Sequence, residues 1–114
     1  MNKVEAIIRP EKLNDVKEVL VAVGLIGLNV VNVTSRGAQR GVTAGGSRGV
    51  GRYEIDMLPE VKLELVVHDD FTQTAVDTIV EHARTGNIGD GKVFIYPVSN
   101  AIKVRTGETG EDAL

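Results

Sequence analysis

The run Thr85-Gly86-Asn87-Ile88-Gly89-Asp90-Gly91-Lys92 sets three glycines, a carboxylate and an ammonium group in one short stretch. Glycine lets the backbone approach an anion without a Cβ in the way, and successive N–H groups can form a concave nest that a lysine completes. The chemistry that follows is phosphate binding. The run is not a Walker A loop, because no Ser or Thr follows Lys92 and Val93-Phe94-Ile95-Tyr96 reads as a strand where that motif needs a helix. Gly-Asp-Gly is also ordinary turn chemistry, and on these residues alone both readings stand.

Other groups that could do chemistry are sparser. Arg36, Arg40, Arg48 and Arg52 gather in one polar, glycine-rich segment that suits docking to an anionic or acidic partner. His68 and His82 stand apart, without companions at metal-ligand spacing, and read as a turn residue and a helix-surface residue. Asp69-Asp70 precedes an apolar-periodic run, so capping of a helix is its expected role. Glu108, Glu111 and Asp112 read as a solvated acidic tail. There is no cysteine, so neither a thiolate nucleophile nor a disulfide can form. No metal site from protein ligands is expected.

These groups sit in a chain of 114 residues, 42% hydrophobic, which is enough for one self-supporting domain. The net charge of -3 lacks the positive footprint that nucleic-acid binding draws on, and an aromatic content of 4% leaves few platforms for base stacking. Met1-Asn2-Lys3-Val4-Glu5 has no apolar signal-peptide core and no run reaches membrane-spanning length, so a cytoplasmic protein without membrane insertion is expected.

Periodicity supplies the scaffold. Lys3 to Arg9 predicts a strand stopped by Pro10, and Leu13, Val16, Val19, Leu20 and Val23 recur at helical spacing up to Gly24. Leu28 to Arg36, with Val30, Val31 and Val33, predicts a second strand. Gly37 to Arg52 carries Gly37, Gly41, Gly45, Gly46, Gly49 and Gly51, cannot make its own core, and exceeds the roughly 12 to 15 residues beyond which structureless loops are usually either functional or disordered, readings that are compatible here. Tyr53 to Val67 alternates clearly from Val61, and Ala75, Val76, Ile79, Val80 and Ala83 predict a second helix ending at Gly86. Lys92 to Tyr96 predicts a fourth strand, and Ala101 to Arg105 a short fifth.

Strand, helix, strand, long loop, strand, helix, strand is an α+β order. It predicts a ferredoxin-like βαββαβ sandwich, with an antiparallel sheet and both helices on one face. The opposite face needs a cover, and Ile7, Val31 and Val66 suit stacking against further subunits.

Order and motifs together resemble the PII signal-transduction family of trimeric nitrogen and energy regulators. The resemblance spans nearly the whole chain, through Glu5-Ala6-Ile7-Ile8-Arg9-Pro10, Asp56-Met57-Leu58-Pro59, Ala83 to Lys92, and Arg105-Thr106-Gly107-Glu108. It implies a single domain with a T-loop at 37–52, a B-loop at 84–92 and a C-loop at 101–108. It also implies a homotrimer that binds ATP and ADP as effectors in intersubunit clefts and acts, without catalysis, on a target enzyme, transporter or regulator through the T-loop. Carried over by position, Gly89, Asp90, Gly91 and Lys92 hold the phosphates, and Lys103 and Arg105 reach them from the adjacent subunit. Gly37 and Gln39 form the base of the T-loop, with Gln39 beside a nucleotide-bound magnesium ion, and Val66 lines the adenine pocket. Arg40, Arg48 and Arg52 are the candidate partner contacts.

This chain also departs from the family pattern. Lys103 stands where arginine is usual, which costs bidentate geometry. Ala38 replaces an arginine and Glu60 a lysine that helps hold 2-oxoglutarate, and a glutamate repels that dianion, so weak or absent 2-oxoglutarate binding is expected, with Arg36 and Arg40 as the remaining cations. The T-loop is longer than typical around Ala44-Gly45-Gly46-Ser47. Tyr53 aligns with a tyrosine that some members have uridylylated, and in this altered loop its reading as a strand-edge residue is favoured over modification. The rival class is an acylphosphatase-like enzyme using Lys92 and arginines as an anion cradle, which no nucleophile near the glycine loop supports.

Overall fold

The computed structural model describes residues 1–40 and 53–114, with side chains at 1–36 and 57–114. Four strands, β1 (Asn2–Ile8), β2 (Asn29–Arg40), β3 (Tyr53–Val67) and β4 (Lys92–Pro97), form one antiparallel sheet in the order β2-β3-β1-β4. Helices α1 (Leu13–Ala22) and α2 (Asp69–Ala83) fill the two crossovers, giving the expected α+β, ferredoxin-like arrangement.

Period-2 alternation decides which face is buried. Val4, Ala6 and Ile8 stand opposite Leu65, Leu63 and Val61 in register, and all six point toward the helices and are buried. Val16 and Leu20 of α1 and Ala75, Ile79 and Ala83 of α2 close that core. α1 stops as a Schellman motif: Gly24, at φ +87°, follows the last turn, Gly24 N–H donates to Val21 O (2.9 Å), and Leu25 N–H donates to Leu20 O (2.9 Å).

The other sheet face is open. Phe94 and Tyr96 of β4, Val66 of β3 and Val31 of β2 are all at least 36% exposed there. At its centre Glu5 and Glu64 are paired in register, and Lys3 lies 3.6 Å from the first carboxylate and 3.7 Å from the second. Tyr96 Oη donates to Glu5 (3.1 Å), a bond that together with burial and the Glu5 charge raises the phenol pKa.

Four local expectations change. First, β2 runs past Arg36 to Arg40, pairing Gly37 with Asp56 and Arg40 with Tyr53, so the β2–β3 pair continues well beyond the end of β1. Pro59 is accommodated in β3 because β1 pairing ends at Val61, so that flank of the strand needs no donor there. Second, 101–105 forms no strand. A single bridge, Ile102 to Thr109, closes a small hairpin whose turn is fixed by Gly107 N–H to Lys103 O (2.7 Å) and Gly107 at φ +78°. β-branched residues suited the strand reading, but their partner lies a few residues on and not in the sheet.

Third, α2 takes His68 as its N-cap residue without a side-chain cap bond. Asp69 and Asp70 lie in the first turn, where carboxylates favour the helix dipole, and Asp69 accepts from Asn2 Nδ2 (3.1 Å). Fourth, the acidic tail is engaged: Gly110–Ala113 forms a 3₁₀ turn, Glu111 lies 3.4 Å from His68, and Glu108 is paired within the hairpin.

Candidate functional site

The Thr85–Lys92 loop is built around Asp90. Its carboxylate accepts from Thr85 N–H (2.8 Å), Gly86 N–H (2.8 Å), the Thr85 hydroxyl and Arg9 Nε (3.1 Å). The Thr85 side-chain and backbone bonds lead the effects that hold this carboxyl well below the usual carboxylate range, with Gly86 and Arg9 adding to them against some desolvation. Arg9 also donates to Ile88 O (2.8 Å), so one guanidinium from the end of β1 clamps both sides of the loop.

Two glycines are required by this geometry. Gly89 has a positive φ (+103°), which L side chains rarely adopt, and a Cβ there would lie 3.2 Å from the Arg9 guanidinium. Gly91, at φ +96°, packs directly on β1: a Cβ would stand 1.7 Å from the Ile7 carbonyl oxygen. The loop therefore rests on strand backbone, and the N–H groups of Ile88 and Gly89 have no acceptor among the described residues. Lys92 opens β4 opposite Ile7, is exposed, and has no acidic partner among the described residues. Beside it an open cleft of about 380 Å³ runs between the loop and the C-terminal end of α2, lined by Val76, Val80, Arg84, Asp90 and Lys92. The cleft is mostly apolar, with Arg84 and Lys92 as its cations, and the glycine loop reaches it through Asp90 and Gly91.

The expected site residues separate into two groups. Gly89, Asp90, Gly91 and Lys92 lie where β1 ends, and the β2–β3 stem carrying the backbone of Gly37, Gln39, Arg40 and Tyr53 leaves the sheet at that same end. The side chains of Gln39, Arg40 and Tyr53, and all of Arg48 and Arg52, lie outside the described residues. Lys103 and Arg105 follow β4, whose Pro97 pairs with Asn2 at the opposite end of β1, and the contact of Glu111 with His68 keeps the hairpin there. Val66, opposite Lys3, is also at this far end. Five residue steps, roughly 17 Å, separate the two ends of β4. One chain thus does not bring Lys103 or Arg105 to its own glycine loop.

Within the hairpin, Lys103 Nζ lies 3.6 Å from Glu108, whose carboxylate also accepts from Thr106 Oγ1 (2.7 Å). Arg105 is exposed, with no acidic partner among the described residues. His82 contacts Thr78 O (2.9 Å) on the surface of α2, as a helix-surface histidine should. No group of three or more potential metal ligands occurs among the described residues, and no helix there is long and apolar enough to cross a membrane.

Sequence reasoning gave Arg9 no role of its own and read Glu108 only as part of a solvated acidic tail. Arg9 meets a partner far along the chain, which no local pattern announces. Glu108 carried a usable signal, Thr-Gly-Glu after two cations, since such a turn brings the acid back onto Lys103.

Comparison with known proteins matches residues 1–108 to the family model described as nitrogen regulatory protein P-II. A relative from Cereibacter sphaeroides named nitrogen regulatory protein P-II is 54% identical over 114 residues, covering all of both chains. The Escherichia coli K12 protein named nitrogen regulatory protein P-II 1 and the Klebsiella oxytoca protein named nitrogen regulatory protein P-II are each 48% identical, again over the full length of both chains.

Proposed function

The chain belongs to the nitrogen regulatory protein P-II family, and from that premise we propose that it is a non-enzymatic, cytoplasmic sensor of adenine nucleotides. ATP or ADP binds in clefts between the subunits of a homotrimer, and the nucleotide present biases the loop at 37–52, which docks on a target protein. The observation that carries this reading is the separation of the cations. Lys92 closes the glycine loop at one end of the sheet, while Lys103 and Arg105 follow the other end of β4, so a second copy completes the site.

Charge supports a polyphosphate ligand, because three cations match a di- or triphosphate and charge-assisted bonds are about twice as strong as neutral ones. The exposed sheet face with Val31, Val66, Phe94 and Tyr96 offers the apolar area through which subunits stack. Val66 on that face serves the adenine ring. Magnesium enters with the nucleotide beside Gln39, and Arg40, Arg48 and Arg52 meet the partner. The switch requires unequal nucleotide affinity for two loop states, since equal binding shifts no population.

Sedimentation and calorimetry test the reading together. The expected result is a trimer that binds ATP and ADP and binds 2-oxoglutarate weakly or not at all, because Glu60 opposes the dianion. A monomer that gives no heat with any adenine nucleotide overturns the sensor. Sustained phosphatase or ATPase turnover, abolished by Lys92→Ala, would establish the rival enzyme.

A further inference from the structure

We infer that Glu108 is a built-in competitor for the nucleotide phosphates, occupying Lys103 until a polyphosphate displaces it. The inference rests on the reading of Lys103 as a phosphate-holding cation. The hairpin is organised so that the two side chains meet. Lys103 N–H donates to Glu108 O (2.8 Å), Gly107 N–H donates to Lys103 O (2.7 Å), and the ammonium then lies 3.6 Å from the carboxylate. Thr106 fixes the acid from two sides, its hydroxyl donating to Glu108 Oε1 (2.7 Å) and accepting from Glu108 N–H (3.2 Å).

A carboxylate held against a lysine in this way presents the same anionic oxygens that a phosphate brings. Arg105, in the same turn, has no such acid among the described residues, so the competition falls on Lys103 alone. Both partners are about half exposed, with Lys103 at 37% and Glu108 at 48%, so the pair is solvent-screened and easily opened. Its effect is therefore one of tuning. The acid raises the nucleotide concentration needed to fill the site.

An exposed pair of this kind is worth up to about a factor of five in an equilibrium constant. Calorimetric titration of the full-length protein with ATP is the test, using Glu108→Gln, which keeps an acceptor for Thr106, Lys103→Gln, and the double variant. Glu108→Gln is expected to bind ATP about two- to five-fold more tightly than the parent, and to change nothing when Lys103 is already glutamine. Unchanged or weaker binding by Glu108→Gln, in a parent that binds ATP, overturns the competition alone. An equal gain in both backgrounds also overturns it, since that result describes a general charge effect. No ATP binding by the parent overturns the nucleotide reading and, with it, this proposal.

Discussion

Gly91→Ala should damage the glycine loop more than any other single methyl group added there. The new Cβ would lie 1.7 Å from Ile7 O, 2.8 Å from Ile7 C and 3.3 Å from Ile8 Cα. All three are backbone atoms of a central strand, so no rotamer change relieves the overlap, and the loop has to lift off β1. Two costs add. The φ of +96° costs an alanine about 1–2 kcal/mol, and overpacking against a rigid neighbour costs about 1–3 kcal/mol more. The sum, about 2–5 kcal/mol, corresponds to a fall in Tm of at least several degrees in a domain of this size. Gly86→Ala is the matched control, because Gly86 has φ +90° but nothing within 4 Å of the added carbon, leaving only the conformational cost. Urea unfolding of both variants at one fixed protomer concentration measures the difference, and calorimetry with ATP reads the site. Equal destabilisation by the two substitutions would refute the close approach of loop to strand.

Two further outcomes follow from the described geometry. The carboxyl of Asp90 has its folded-state pKa pulled well below the ordinary 3.8, so the loop's stabilisation is fully present above that value and is lost as pH falls below it toward the folded pKa. Carboxyl-carbon NMR should find Asp90 still ionised at pH 3, and ordinary titration near 3.8 would contradict the hydrogen-bond set. Leu63→Ala, at a fully buried position in the central strand, should cost about 2–5 kcal/mol by chemical denaturation, and a loss under 1 kcal/mol would mean that the helices do not seal that face.

Much of the scaffold was legible because burial and periodicity coincide in it. Val61, Leu63, Leu65 and Val67 alternate in sequence and are buried in the fold, and Ala75, Ile79 and Ala83 lie at helical spacing and point to the core. Gly24 and Pro10 marked boundaries for reasons of backbone geometry alone. Legibility failed where the deciding contact was elsewhere. Ile102 and Val104 have strand propensity, yet the turn bonds of Asn100, Lys103 and Gly107 close the chain on itself before it can join a sheet. Asp69 looked like a cap but is held by Asn2, a residue 67 positions away. The loop's glycines announced close backbone approach, whereas the clamp by Arg9 depends on where β1 happens to end. Charge type was readable throughout; pairing was not.

The separation of the two cation sets along β4 has a genetic consequence. Within the proposed ring, each chain owns the left half of one pocket and the right half of another, so a chain damaged at Lys92 and a chain damaged at Lys103 complement each other although both changes lie in one gene. A mixed trimer of the two defective chains regenerates one undamaged pocket wherever an intact glycine loop meets an intact hairpin. A protein whose pockets lie within single chains has no such recovery, so co-assembly of two inactive variants distinguishes shared pockets from private ones.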